Sequence, residues 1–123
     1  MNRNELEKFI TDNYNCTYDY PWAQYPTFRV FRHSNNKKWF AVIMDIPKNK
    51  LGLKSNEIIS VVNLKCDSLL IGSLLLEDGF YPSYHMNKNN WISVALDSTA
   101  DDEKLKMLLD MSFDATSLRT KQH

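Results

Sequence analysis

The densest group of side chains able to do chemistry is Tyr81-Pro82-Ser83-Tyr84-His85-Met86-Asn87-Lys88-Asn89-Asn90-Trp91. Imidazole titrates near neutrality, so His85, beside Tyr84 and three residues from Lys88, can form an acid–base pair or an anion site. A histidine in a loop also serves as an ordinary hydrogen-bonded structural group, and that reading stands beside the first. With the indoles of Trp22 and Trp91, these residues make one candidate binding pocket: Trp22, Tyr84, His85, Lys88 and Trp91. The second available chemistry is phosphate contact. From Arg29 to Lys54 there are seven bases (Arg29, Arg32, Lys37, Lys38, Lys48, Lys50, Lys54) against one acid, Asp45. These seven, joined by Lys88, form a candidate nucleic-acid-binding set. A hairpin with lysines at its tip can lie along a groove, as wing-like β-ribbons do. A solvated lysine-rich loop is the plain alternative.

Other chemistries are excluded by what the chain lacks. Its three glycines, Gly52, Gly72 and Gly79, are isolated and cannot build a phosphate-cradling loop. There is no HExxH, no GxSxG and no pair of carboxylates in an otherwise apolar stretch. Asp101, Asp102 and Glu103 stand together, but at a helix start, where acids favour the helix dipole. Cys16 and Cys66 cannot make a disulfide framework and form no CxxC or Cys/His cluster. No metal and no cofactor are therefore expected, no catalytic signature is present, and two free thiols suit a reducing cytoplasm. The longest apolar runs are about seven residues, against roughly 20 for a bilayer span, so no membrane association is expected. The net charge is zero, from 15 basic and 15 acidic side chains. The acids gather elsewhere: from Asp97 to Asp114 there are six, against Lys104 and Lys106. The molecule is thus electrically polar, with one basic flank available to a polyanion.

The elements that must position these groups follow from periodicity and punctuation. A first helix is capped by Asn2 or Asn4 and keeps Leu6, Phe9, Ile10 and Tyr14 on one face. A short strand and a loop follow, from Cys16 to Pro26, with Pro21 and Pro26 forcing extended geometry on the residues before them. Thr27 to Arg32 and Lys38 to Ile46 read as a hairpin around His33–Lys37. Pro47 to Asn56 is a lysine-bearing loop, and Glu57 to Lys65 a further strand. Asp67 or Ser68 caps a short helix, Phe80 to Tyr84 is extended, and Trp91 to Leu96 is the last strand. Thr99 and Asp102 have capping-box spacing before a final helix with Leu105, Leu108, Leu109 and Phe113 on one face. Residues from about 117 read as a frayed tail. With 123 residues, the chain suits one α+β domain over 1–123. The expected architecture has two layers, with N- and C-terminal helices and one short internal helix on an antiparallel sheet. A monomer is expected.

Strand parity sharpens the picture. Phe28 and Val30 are expected inward, with Arg29 and Phe31 outward. Phe40, Val42 and Met44 are expected inward and Trp39 outward. Ile92, Val94 and Leu96 are expected inward, with Trp91, Ser93 and Ala95 on the other side. A second sheet face bearing Trp39, Trp91, Phe31 and Arg29 is more aromatic than solvation requires. It is covered by another element, binds a ligand by stacking, or meets a protein partner.

Four strings carry a resemblance over nearly the whole chain. They are Pro21-Trp22-x-x-Tyr25-Pro26, Trp39-Phe40-Ala41, Asn63-Leu64-Lys65-Cys66-Asp67 and Tyr81-Pro82-x-Tyr84-His85-Met86-Asn87-Lys88-x-x-Trp91-Ile92-x-Val94. Together they resemble the MmcQ/YjbR family. Ser68 stands where relatives often carry proline after the Lys-Cys-Asp string. The resemblance implies a small CyaY-like α+β domain, also described as a double wing, and DNA as the partner. It brings no established catalytic residues to carry over. The comparison with frataxin suggests iron, but Glu5, Glu7 and Asp12 lie among Arg3 and Lys8 and form no acidic ridge. The leading expectation is a cytoplasmic DNA-binding module using the basic hairpin. The alternative is a small-molecule or peptide binding protein using the pocket around Tyr84, His85, Lys88 and Trp91.

Overall fold

The computed structural model describes residues 1–117. The expected tail lies outside them except for Ser117, which caps the last helix. Helix α1 spans Arg3–Asn13 and starts at a complete capping box. The Asn2 side chain accepts from the Glu5 amide, and the Glu5 carboxylate accepts from the Asn2 amide at 2.8 Å. Leu6 and Ile10, one helical turn apart, are buried beneath it. Six strands follow: β1 (Cys16–Asp19), β2 (Arg29–His33), β3 (Trp39–Pro47), β4 (Ile58–Lys65), β5 (Phe80–Pro82) and β6 (Trp91–Ala95). They form one antiparallel sheet in the order β1-β2-β3-β4-β6-β5. A 3-10 turn, Lys48–Leu51, leaves β3, and α2 (Ser68–Leu74) crosses from β4 to β5. Helix α3 spans Asp102–Thr116. This is the expected α+β class, with three helices on a six-stranded sheet.

The sheet carries apolar side chains on both faces. On one, Leu6, Ile10, Ile71, Leu74, Leu105, Leu108 and Leu109 from the helices close over Phe31, Ile43, Val62, Leu64, Ile92 and Val94. Burying each such side chain contributes about 1.5–3 kcal/mol. On the other, Phe28, Val30, Val42, Met44, Ile46, Leu51, Ile59, Val61 and Ala95 form a second cluster to which no α-helix contributes. It is covered by loop residues, among them Trp22 and Leu53, and by Trp39, Tyr81 and Tyr84 from the sheet and its loops.

Two strand assignments reverse. Arg29 and Phe31 face the helices, and Phe28 and Val30 face the loop-covered side. Alternation fixes which residues share a face, but a strand apolar on both faces does not say which face meets the helices. In β3 the pairing with β2 shifts register between Phe31 and Arg32. As a result Phe40 and Ala41 both join the helix-side core, and Trp39, Val42 and Met44 fall together on the other side. The last helix is capped by Asp101, which accepts from the Lys104 amide at 2.9 Å, and not by Thr99, whose hydroxyl donates to Asp97 at 2.6 Å. Asp97 holds the Thr99 hydroxyl in the preceding turn, so the next carboxylate takes the cap.

Candidate functional site

The loop-covered face of the sheet is not fully closed. It keeps a cavity of about 360 Å³, within the size range of ligand pockets. Three separate stretches of chain wall it. The β1–β2 connection contributes Trp22, Gln24, Tyr25 and Phe28. Strands β3 and β4 contribute Trp39, Val42, Met44 and Asn63. The β5–β6 connection contributes Tyr84, His85 and Met86. The lining has no Lys, Arg, Asp or Glu, and its rings sit in defined arrangements. Trp22 meets Trp39 at 89° with centroids 5.5 Å apart and meets Phe28 at 82°. Tyr25 stacks on Phe28 at 4.7 Å, and His85 lies 4.0 Å from Tyr84 and 6.3 Å from Tyr25.

Local sequence explains each wall. Between Trp22 and Phe28 the chain makes two successive turns, closed by Tyr25 N–H to the Trp22 carbonyl at 3.1 Å and Phe28 N–H to the Tyr25 carbonyl at 3.0 Å. Pro26 takes the second position of the latter turn, where its fixed φ is preferred. The opposite wall hangs from a buried polar network. The Asn63 amide donates to the Tyr84 carbonyl at 2.8 Å, and the Tyr84 N–H donates to Ser93 Oγ at 3.0 Å. The Ser93 hydroxyl in turn donates to Asn63 Oδ1. Asn63 and Ser93 are both fully buried, so each depends on these partners. Beyond Tyr84, Lys88 Nζ donates to the Ser83 carbonyl at 2.7 Å, and the Ser83 hydroxyl donates to the Met86 carbonyl at 3.0 Å. His85 is held in the left-handed region at φ 65°, uncommon for a residue with a side chain.

Of the five residues of the expected pocket, Trp22, Tyr84 and His85 line this cavity. Lys88 ties its loop together, and Trp91 pairs with Lys65 at the end of β6, outside the lining. Sequence reasoning did not select Tyr25, Phe28, Met44, Asn63 or Met86. Tyr25, Asn63 and Met86 were nevertheless inside the quoted strings.

The basic set does not gather. The Arg29 guanidinium lies on the helix side, 3.1 Å from Glu7 and 3.7 Å from the Tyr18 ring centroid. Glu7 raises its pKa against the effect of burial, which acts most strongly and in the other direction. Arg32 pairs with Asp19 at 2.9 Å and lies over Trp39 at 5.4 Å. Lys48 pairs with Glu57 at 3.3 Å. Lys37, Lys38, Lys50 and Lys54 are exposed and have no ion pair among the described residues. Lys38 precedes β3 and Lys48 follows it, which separates the two lysine groups by about 30 Å at the rise of a β-strand. Among the described residues no three His, Cys, Asp or Glu side chains cluster to hold a metal, and no helix is long and apolar enough to cross a membrane.

Comparison with known proteins places this geometry. A family model described as YjbR matches residues 3–115. The chain belongs to the YjbR family. Within that family it is 35% identical over 116 residues to the uncharacterised protein YyaQ of Bacillus subtilis, covering 94% of this chain and 98% of YyaQ. It is similar to the crystal structure of a Pseudomonas syringae protein, with a TM-score of 0.91 and 39% identity over 95% of this chain and 100% of that one. A Deinococcus radiodurans crystal structure shares the fold at a TM-score of 0.67 and 20% identity, covering 91% of this chain and 75% of that one. The YjbR strings quoted above divide by role in this chain. Trp22, Tyr84 and His85 face the cavity, and Asn63 and Lys88 hold the loop that carries two of them.

Proposed function

We propose that this YjbR chain is a binding module whose ligand places an apolar group in the cavity between Trp22, Trp39 and Tyr84. The observation that carries this reading is the lining itself. Five Trp, Tyr and Phe rings and two methionines from separated segments converge on a space of about 360 Å³ and leave it unfilled. An apolar side chain gains about 25 cal/mol for each Å² removed from water, so leaving such a concavity open forgoes stability that a ligand can recover. Gln24 and His85, both exposed at its margin, supply the polar contacts that orient a bound group. The reading is tested by NMR on the full chain, using a library of small apolar and aromatic fragments. Saturable shifts confined to the Trp22 and Trp39 indole N–H groups and the Met44 and Met86 methyls are expected. Their absence across the library overturns the reading.

The second reading is duplex binding through phosphate contacts. Lys37, Lys38, Lys50 and Lys54 support it, being exposed and unpaired among the described residues. Their division between the two ends of β3, and the pairing of Arg29, Arg32 and Lys48, weaken it. A duplex that shifts Lys37–Trp39 and Lys48–Lys54 at about 50 mM salt and releases them at about 200 mM favours this second reading.

A further inference from the structure

We infer that the group seated in this cavity is a quaternary ammonium, carried by a choline-like small molecule or by a methylated lysine side chain. The inference rests on the pocket reading above and adds the ligand's chemistry. Its first ground is the shape of the walls. A flat aromatic ligand needs two parallel faces about two stacking distances apart. Here Trp22 meets Trp39 at 89° and Phe28 at 82°, so these rings build a corner. The one parallel pair, Tyr25 on Phe28, is already in contact with itself at 4.7 Å and leaves no slot. A corner of rings fits a compact, rounded cap such as a trimethylammonium better than it fits a plate.

The second ground is electrostatic. Aromatic faces present the negative part of the ring quadrupole, and several faces around one point attract a cation. A quaternary ammonium has no N–H to satisfy, so it can enter a site that offers few acceptors. An ordinary ammonium would lose its hydrogen bonds to water there without replacement. No Lys or Arg lines the cavity to repel a cation, and no Asp or Glu lines it to favour a primary amine through an ion pair. The Arg32 guanidinium, whose carbon lies 5.4 Å from the Trp39 ring centroid, is paired with Asp19 at 2.9 Å, which offsets the charge it would set against a bound cation.

The experiment compares choline with its uncharged isostere, 3,3-dimethylbutan-1-ol, by NMR titration of the full chain. The two differ in the central atom and its charge and share nearly the same shape. Choline is expected to saturate the Trp22 and Trp39 indole signals with an affinity roughly tenfold higher than the alcohol, the range of a cation–π contribution away from water. Trp22→Leu is expected to abolish choline binding and Trp22→Phe to restore part of it, which separates loss of the ring face from loss of the fold. Equal affinity for choline and the alcohol overturns the inference and leaves the apolar pocket standing. No saturable shift with choline also overturns it, and the fragment library then decides the pocket reading independently. A trimethyllysine peptide binding more tightly than choline assigns the group to a protein partner, and the reverse assigns it to a small molecule.

Discussion

Asn63→Ala tests whether the wall bearing Tyr84 and His85 is held by the buried network. Asn63 is 0% exposed and lies on β4, with its amide on the Tyr84 carbonyl at 2.8 Å and its carbonyl accepting from Ser93. Truncation leaves the Tyr84 carbonyl without its donor and the Ser93 hydroxyl hydrogen without its acceptor, while Ser93 Oγ still accepts from the Tyr84 N–H. Each stranded group costs about 1–3 kcal/mol. Partial rescue by a water entering the vacated space lowers the sum, so a total loss of about 2–4 kcal/mol is expected. Ser93→Ala strands the Tyr84 N–H and Asn63 Oδ1 and costs a similar amount. Because the two changes break one network, the double variant is expected to lose less than the sum of the singles, by about 1 kcal/mol or more. Urea unfolding with an unchanged slope measures these losses. Backbone amide shifts report whether residues 83–88 move. If each single variant costs under about 0.5 kcal/mol and the Tyr84 amide stays in place, the network does not hold the wall and the argument fails.

Three further outcomes follow from the same packing. His33 is buried against Phe113 and Phe40, and its Nε2 meets Thr116 Oγ1 at 2.8 Å; that hydroxyl spends its own hydrogen on the Ser112 carbonyl, so Nε2 must be the donor. Burial holds its pKa below the ordinary 6.5 and nearby Lys38 adds to this, while the Phe113 carbonyl and Asp114 oppose it. The unfolded chain therefore takes up the proton first, so stability present above about pH 6.5 falls as the pH drops, and His33→Gln flattens that part of a urea-midpoint series. Gly79→Ala is expected to cost more than Gly52→Ala in thermal unfolding, although both sit at positive φ. A Cβ at Gly79 would lie 2.6 Å from the Ala100 nitrogen, whereas Gly52 opens onto space and carries only backbone strain of about 1–2 kcal/mol. Lys88→Met is expected to cost about 1 kcal/mol through the lost bond to Ser83 and to shift the Met86 and Asn87 amides; an unchanged spectrum would return Lys88 to the solvated surface.

The element order was legible because each element carried its own local signal: the Asn2–Glu5 cap, the apolar spacing of Leu105, Leu108 and Leu109, and the alternation of β6. What local signals could not supply was the partner across space. In β2, alternation grouped Phe28 with Val30 and Arg29 with Phe31 correctly. The side that meets the helices depends on α1, where Glu7 waits 3.1 Å from Arg29. A base counted along the chain looked available for phosphate until its acid, Glu7, Asp19 or Glu57, arrived from another element. The same effect works in the opposite direction on the polar motif. Lys88 read as chemistry in a string, yet its ammonium is turned onto the Ser83 carbonyl, just as the unselected Asn63 amide is turned onto the Tyr84 carbonyl. Met44 read as core, yet it faces the cavity beside Trp39, whose outward, aromatic placement was legible from strand parity. Such inversions are expected where loops cover a sheet face. A polar side chain there must close the backbone of the loop, since no helix or strand does so. The apolar side chains beneath it then remain free to bind. In this chain, therefore, the candidate ligand contacts are the rings and methionines, and the charged and amide residues of the motif set where those rings stand.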